Sequence, residues 1–212
     1  EYDLYEQAQK IGFVLQNVEN QIVTDKVWHE LAFGLESLGV PSSQIRIRVA
    51  EMASFFGIEK WFYKDVSELS GGQKQLLNLA SVMVMQPELL ILDEPTAGLD
   101  PKGRDEILGQ LVTLHKENSG MTIIFVSHSM EDVAMLANNV LVMNKGKLAM
   151  HGSVAEVFER SDELRSMGLD VPGITELTHA LIKEGIDIRP DIYTVKFAAD
   201  VYAQLLKEAE NV

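Results

Sequence analysis

The run Leu89-Leu90-Ile91-Leu92-Asp93-Glu94-Pro95-Thr96-Ala97-Gly98-Leu99-Asp100 constrains this chain more than any other stretch. Four apolar residues pass without interruption into two adjacent carboxylates. A short apolar run of this kind suits a strand buried on both faces of a parallel sheet covered by helices. Acids at the end of such a strand stand where ligands bind in open α/β sheets, outside the carboxyl edge. One acid there can hold a magnesium ion through water, and the next can polarise an attacking water. Pro95 and Gly98 then break the chain, and Asp100-Pro101 reads as a helix N-cap followed by a first-turn proline. Taken alone, the stretch is also readable as a buried strand ending in a solvated acidic turn.

The rest of the chain bears on that choice. Its 212 residues suffice for one substantial domain with a small appendage. With no cysteine there is neither a disulfide framework nor a thiolate metal site. A net charge of −14 argues against a duplex nucleic-acid surface and against direct adhesion to anionic lipid. No run approaches the roughly 20 apolar residues that span a bilayer. No signal peptide is visible, and the first residue is Glu1 rather than Met, so the native start is expected to lie upstream.

Taken in order, Ile11–Leu15 reads as a short strand closed by Gln16-Asn17. Val27, Trp28, Leu31, Ala32, Leu35 and Leu38 recur at helical spacing from Thr24 to Gly39. A second helical pattern covers Ser42 to Phe56. Trp61, Phe62 and Tyr63 read as core packing under a loop. Ser70 and Gln73 have capping-box spacing, which predicts a helix running to about Met85. The cap does not explain Gly71 and Gly72, two glycines that weaken a first helical turn. Glycines there let another molecule approach the unpaired N–H groups at the positive end of the helix dipole, and phosphate is the natural candidate. Pro101 to Glu117 is predicted helical. Met121–Val126 reads as a second buried strand, ending in Ser127-His128-Ser129. Residues 129–137 form a further helical pattern, Val140–Met143 and Lys147–Met150 a hairpin, and 153–167 more helix. Asp170–Gly173 is read as a linker to a helical appendage.

Together these motifs resemble the ATP-binding-cassette ATPases. Leu69–Gln73 resembles that family's signature motif, Leu90–Asp93 with Glu94 its Walker B strand and catalytic glutamate, and Ala97–Asp100 its D-loop. His128 matches the switch histidine and Gln16 the Q-loop glutamine. Within the family, Gln16–Val23 and Val27–Glu36 are most similar to the ATPase subunits of energy-coupling factor transporters, prokaryotic importers of vitamins and metal ions. The fold implied is α/β, a P-loop NTPase-like (RecA-like) parallel sheet with an inserted helical subdomain at about 24–86. The ATPase domain would cover 1–168 and the helical appendage 169–212.

The resemblance implies ATP and Mg2+ as ligands. Asp93 and Gln16 would serve the metal, and Glu94, His128 and Gln16 the hydrolysis. Ser70, Gly71 and Gly72 would bind the γ-phosphate of ATP held by an opposing subunit, and Gln73 and Asp100 would be cofactor-binding with them. The implied partners are a second ATP-binding subunit, identical or paralogous, a transmembrane coupling subunit and a substrate-binding membrane subunit. The implied location is the cytoplasmic face of the membrane, held by protein contacts. Alternatives are a DNA-repair or translation-associated ATPase, or an inactive fragment or regulator. Repair-type heads are split by coiled coils hundreds of residues long, whereas 53 positions separate Gln16 from Leu69. Retention of Glu94 and His128 argues against a regulator.

One departure stands out: no Gly-x-x-x-x-Gly-Lys-Ser/Thr occurs in the chain. In the family this Walker A loop precedes the Q-loop glutamine, so the expectation is an N-terminally truncated fold. Such a stretch, produced alone, is expected to bind ATP weakly and to be unstable or to associate through exposed strands.

Overall fold

The computed structural model describes residues 9–117 and 120–210. By contact density the chain divides after Val126 into two compact units.

The first unit begins with β1 (Ile11–Val14), a 3-10 turn at Val18–Asn20, α1 (Val27–Ser37), α2 (Ser42–Phe55) and α3 (Gly71–Met83). It continues with β2 (Leu89–Asp93), α4 (Pro101–Glu117) and β3 (Thr122–Val126). The three strands form one parallel sheet in the order β1-β2-β3, and Val14 registers with Leu92 and Asp93 with Val126. Parallel neighbours need long crossovers, and helices supply them here. The first crossover holds α1, α2 and α3, so a helical insert stands between β1 and β2, as expected. The fold is α/β.

The insert owes its core to Val27, Leu31 and Leu35 of α1, all at zero exposure, with Leu77 and Ala80 of α3. Helix α1 begins at Val27 rather than Thr24 because the preceding residues are extended. Val66 N–H donates to the Asp25 carbonyl at 2.8 Å and Val27 N–H to the Lys64 carbonyl at 3.2 Å. Helix α3 lies close on β1: a side chain at Gly12 would run into Val82.

Two expectations are corrected. Strand β3 is not buried: Ile124 is 48% and Val126 52% exposed. The register puts them on the face that also carries Phe13, 45% exposed, and half-buried Ile91, while Leu90 and Leu92 fill the opposite face. A continuous apolar run marks both faces alike and cannot tell which one is covered. The aromatic cluster also divides, with Trp61 buried and Tyr63 82% exposed.

The second unit contains α5 (Met130–Leu136), the antiparallel pair β4 (Asn139–Asn144) and β5 (Lys147–Ser153), and α6 (Val154–Phe158). It then adds α7 (Ser161–Ser166), α8 (Gly173–Lys183) and α9 (Val195–Glu210). Lys145 and Gly146 both have positive φ, the type I′ geometry that matches hairpin twist. Around Asp170–Gly173, Val171 is buried and Arg165 binds Asp170 at 3.3 Å. Helices α8 and α9 gather round Ile188, Ile192 and Ala198, and buried Thr175 donates to the Ile192 carbonyl at 2.9 Å. Among the described residues no helix is long and apolar enough to cross a membrane.

Candidate functional site

Parallel pairing brings the carboxyl ends of β1 and β2 side by side. Gln16 follows the first, exposed, and Asp93 ends the second, half-buried. Glu94 comes directly after Asp93 with φ of 48°, in the left-handed region. For a residue bearing Cβ that conformation costs about 1–2 kcal/mol, and such strain concentrates at functional sites. Two bonds enforce it. Glu94 N–H donates to the Val126 carbonyl at 2.9 Å, and the Glu94 carbonyl accepts from Ala97 N–H at 3.1 Å. A tight turn therefore follows the strand and sets the Glu94 side chain apart from the regular alternation.

Helix α3 opens as the sequence predicts. Ser70 N–H donates to Gln73 Oε1 at 3.0 Å, and Gln73 N–H donates to Ser70 Oγ at 3.3 Å, a closed capping box. Gln73 therefore holds the turn together. A Cβ on Gly71 would meet nothing within 4 Å, and one on Gly72 only the Gly103 Cα at 3.8 Å. Internal packing thus does not require glycine at Gly71 or Gly72. What these glycines preserve is open space over the first-turn N–H groups, the space that an anion such as a terminal phosphate needs.

The same contact brings the start of α3 next to the start of α4. There Asp100 Oδ1 accepts from Gly103 N–H at 2.9 Å, so Asp100 caps α4 ahead of Pro101. The structure thus groups Gln16, Asp93 and Glu94 at one edge of the sheet and Ser70–Gln73 with Asp100 at a pair of helix starts. His128 lies exposed at the head of the second unit. Among the described residues no group of three or more His, Asp or Glu side chains could hold a metal ion. A magnesium ion at this edge would need oxygens from a bound phosphate in addition to Asp93, its usual manner of binding in nucleotide sites.

One arrangement beside these residues had no local signature. The Gln21 side chain returns to the end of β1, where Nε2 donates to the Phe13 carbonyl at 2.9 Å and Oε1 accepts from Leu15 N–H at 2.7 Å. Asn78 of α3 also donates to Gln21 Oε1, at 3.1 Å. The available signal was Asn78 itself, a polar residue set among Leu76, Leu77, Leu79 and Ala80. A groove of about 470 Å³ also opens on the helical insert, lined by Trp28, Ile45, Arg46, Val49, Phe62 and Tyr63.

A parallel sheet with a helical insert, paired acids at a strand end and an open Ser-Gly-Gly helix start define an ATP-binding-cassette ATPase, and the ABC transporter family profile matches residues 2–97. The chain is 46% identical to the energy-coupling factor transporter ATP-binding protein EcfA2 of Clostridium tetani, over 100% of this chain and 73% of that protein. It is 44% identical to the protein of the same name from Clostridium perfringens, over 93% of this chain and 70% of that one. The solved structure of cbiO1 from Clostridium perfringens, described as part of the ABC transporter complex cbiONQ, superposes with a TM-score of 0.66 at 40% identity. That superposition covers 74% of this chain and 62% of the solved one. The chain belongs to the energy-coupling factor transporter ATP-binding proteins.

Proposed function

We propose that the protein containing this chain binds and hydrolyses ATP to drive an energy-coupling factor importer of vitamins or metal ions. Two such subunits, identical or paralogous, close around nucleotide. They act on a transmembrane coupling subunit, while a separate membrane subunit selects the cargo. The subunit sits peripherally at the cytoplasmic face of the membrane, held by protein contacts. The exposed apolar groove beside Trp28 and Tyr63 is the surface we assign to the membrane partner. The ATPase domain is taken as 1–168 and the helical appendage as 169–212.

Each residue takes the role that the family resemblance implies, and its chemistry suits that role. Glu94 accepts a hydrogen bond from the attacking water, orients it toward the terminal phosphorus and polarises it. Asp93 and Gln16 would hold a magnesium ion, which would supply charge neutralisation at the phosphates. His128 contacts the γ-phosphate. Ser70, Gly71 and Gly72, with Gln73 holding their turn and Asp100 beside it, grip the γ-phosphate of ATP bound by the opposing subunit. Phosphoryl transfer is mostly positioning and charge stabilisation, so a site split between two subunits works only when they close.

The observation that carries this reading is the left-handed Glu94 directly after the paired-acid strand. Its test is Glu94→Gln in the full-length protein. Turnover should fall about 10²- to 10⁴-fold, the usual worth of a general base. An ATP-bound dimer should also accumulate, seen as a shift in mass by light scattering. Unchanged turnover would remove Glu94 from the mechanism.

A further inference from the structure

We propose that Gln21 is a positioning residue whose carboxamide locks the loop carrying Gln16 to the helix carrying the Ser70–Gly72 turn. The inference rests on the reading that Gln16 and Ser70–Gly72 serve ATP.

The geometry is that of a strand pairing made by a side chain. In a parallel ladder one partner residue donates to the carbonyl before a given residue and accepts from the N–H after it. The Gln21 amide does both around Val14, donating to the Phe13 carbonyl and accepting from Leu15 N–H. It can reach back because the intervening loop is itself folded. Asn17 Oδ1 accepts from Glu19 N–H at 3.1 Å, and the 3-10 turn at Val18–Asn20 reverses the chain. Gln16 therefore leaves a backbone fixed on its N-terminal side by β1 and by this amide.

The same Oε1 is the anchor for α3. Asn78 has zero exposure, and its Nδ2 donates to Gln21 Oε1. Its other atom, Oδ1, is buried with no hydrogen-bond partner among the described residues. A half-satisfied amide inside a helix is a cost to folding, and leucine would fill the site without it. One turn nearer the start of α3, Lys74 pairs with Glu19 of the same loop. Two links, one part-buried and one at the surface, thus join the loop to the helix. A shift of the Gln16 loop must move the start of α3 with it. Since Gln16 serves one nucleotide and Ser70–Gly72 the other, the clasp couples the two halves of a closing dimer.

Asn78→Leu and Gln21→Ala, made in the full-length protein with its partner subunits, test this. Asn78→Leu leaves both backbone bonds of Gln21 in place and removes the orphaned Oδ1, so the thermal unfolding midpoint should hold or rise. Its kcat should nevertheless fall about tenfold, within the range seen for coupling residues that touch no ligand, with KM for ATP changed by less than about threefold. Gln21→Ala should lower kcat at least as far. The double variant should lose no more than the worse single one, because each breaks the same link. If either single variant keeps its full kcat, or if the two losses multiply, the coupling role is wrong. Glu94→Gln measured alongside separates the two readings. If Glu94→Gln abolishes turnover while Asn78→Leu leaves it intact, the clasp alone is refuted. If Glu94→Gln leaves turnover intact, the assignment of Glu94 is refuted and the clasp is judged on its own variants.

Discussion

The capping residues set local charge as well as helix starts, and Ser153 shows how one hydroxyl does both. Glu156 Oε2 accepts from Ser153 N–H at 2.7 Å and from Ser153 Oγ at 2.9 Å, while Glu156 N–H donates back to Ser153 Oγ at 3.3 Å. Hydrogen bonds from the Ser153 backbone and then its hydroxyl hold the Glu156 carboxyl below the ordinary glutamate range. The folded chain therefore prefers the ionised form more than the unfolded chain does. The resulting stabilisation is complete above the ordinary glutamate value and is lost as pH falls through the lower folded one. Ser153→Ala removes the hydroxyl bond and leaves the backbone one. The Glu156 titration midpoint, followed by the carboxyl carbon resonance, should move upward, part of the way to the ordinary value. A midpoint that stays put would assign the shift to the backbone bond alone.

At the scale of elements, two glycines show opposite sides of one rule. Gly12 lies where α3 crosses β1, and a Cβ there would collide with Val82. Gly109 lies mid-helix in α4, and a Cβ there meets nothing within 4 Å. Gly12→Ala should overpack the crossing and destabilise by about 1–3 kcal/mol. Gly109→Ala should stabilise by about 0.5–1 kcal/mol through helix propensity and a less free unfolded chain. Denaturant midpoints of the two full-length variants should move in opposite directions, and a Gly12→Ala midpoint that does not fall would refute the close packing of α3 on β1. The elements legible beforehand were those whose instructions are local. The Leu89–Asp93 strand, the Ser70–Gln73 capping box, the Asp100-Pro101 helix start and the Lys145-Gly146 turn each lie within a few consecutive residues. The paired acids and the open glycines of the site were legible for the same reason. The Gln21–Asn78 bond joins positions 57 apart, and neither residue type announces such a partner. The exposure of Tyr63 was hidden because aromatic content does not say which ring faces inward. The strain at Glu94 was hidden because nothing in Asp-Glu-Pro demands a left-handed residue; the bonds with Val126 and Ala97 impose it.

For the chain as a whole, the open sheet face and the charge act against each other. Phe13, Ile124 and Val126 lie on one face of a sheet whose edge strands, among the described residues, are β1 and β3. Contiguous exposed apolar side chains next to strand edges favour association. A net charge of −14 opposes it by long-range repulsion, which salt screens, whereas contact between apolar faces is not weakened by salt. The 212-residue polypeptide produced alone should therefore associate, and more strongly as salt is raised. Replacing Ile124 and Val126 by lysine places two cations on that face and leaves Leu90 and Leu92, the buried side of the sheet, untouched. Sedimentation velocity across a concentration series at low and high salt should show oligomers for the parent chain, growing with salt, and a shift toward monomer for the lysine pair. A parent chain that stays monomeric at every salt concentration and melts cooperatively would show that this face drives no association.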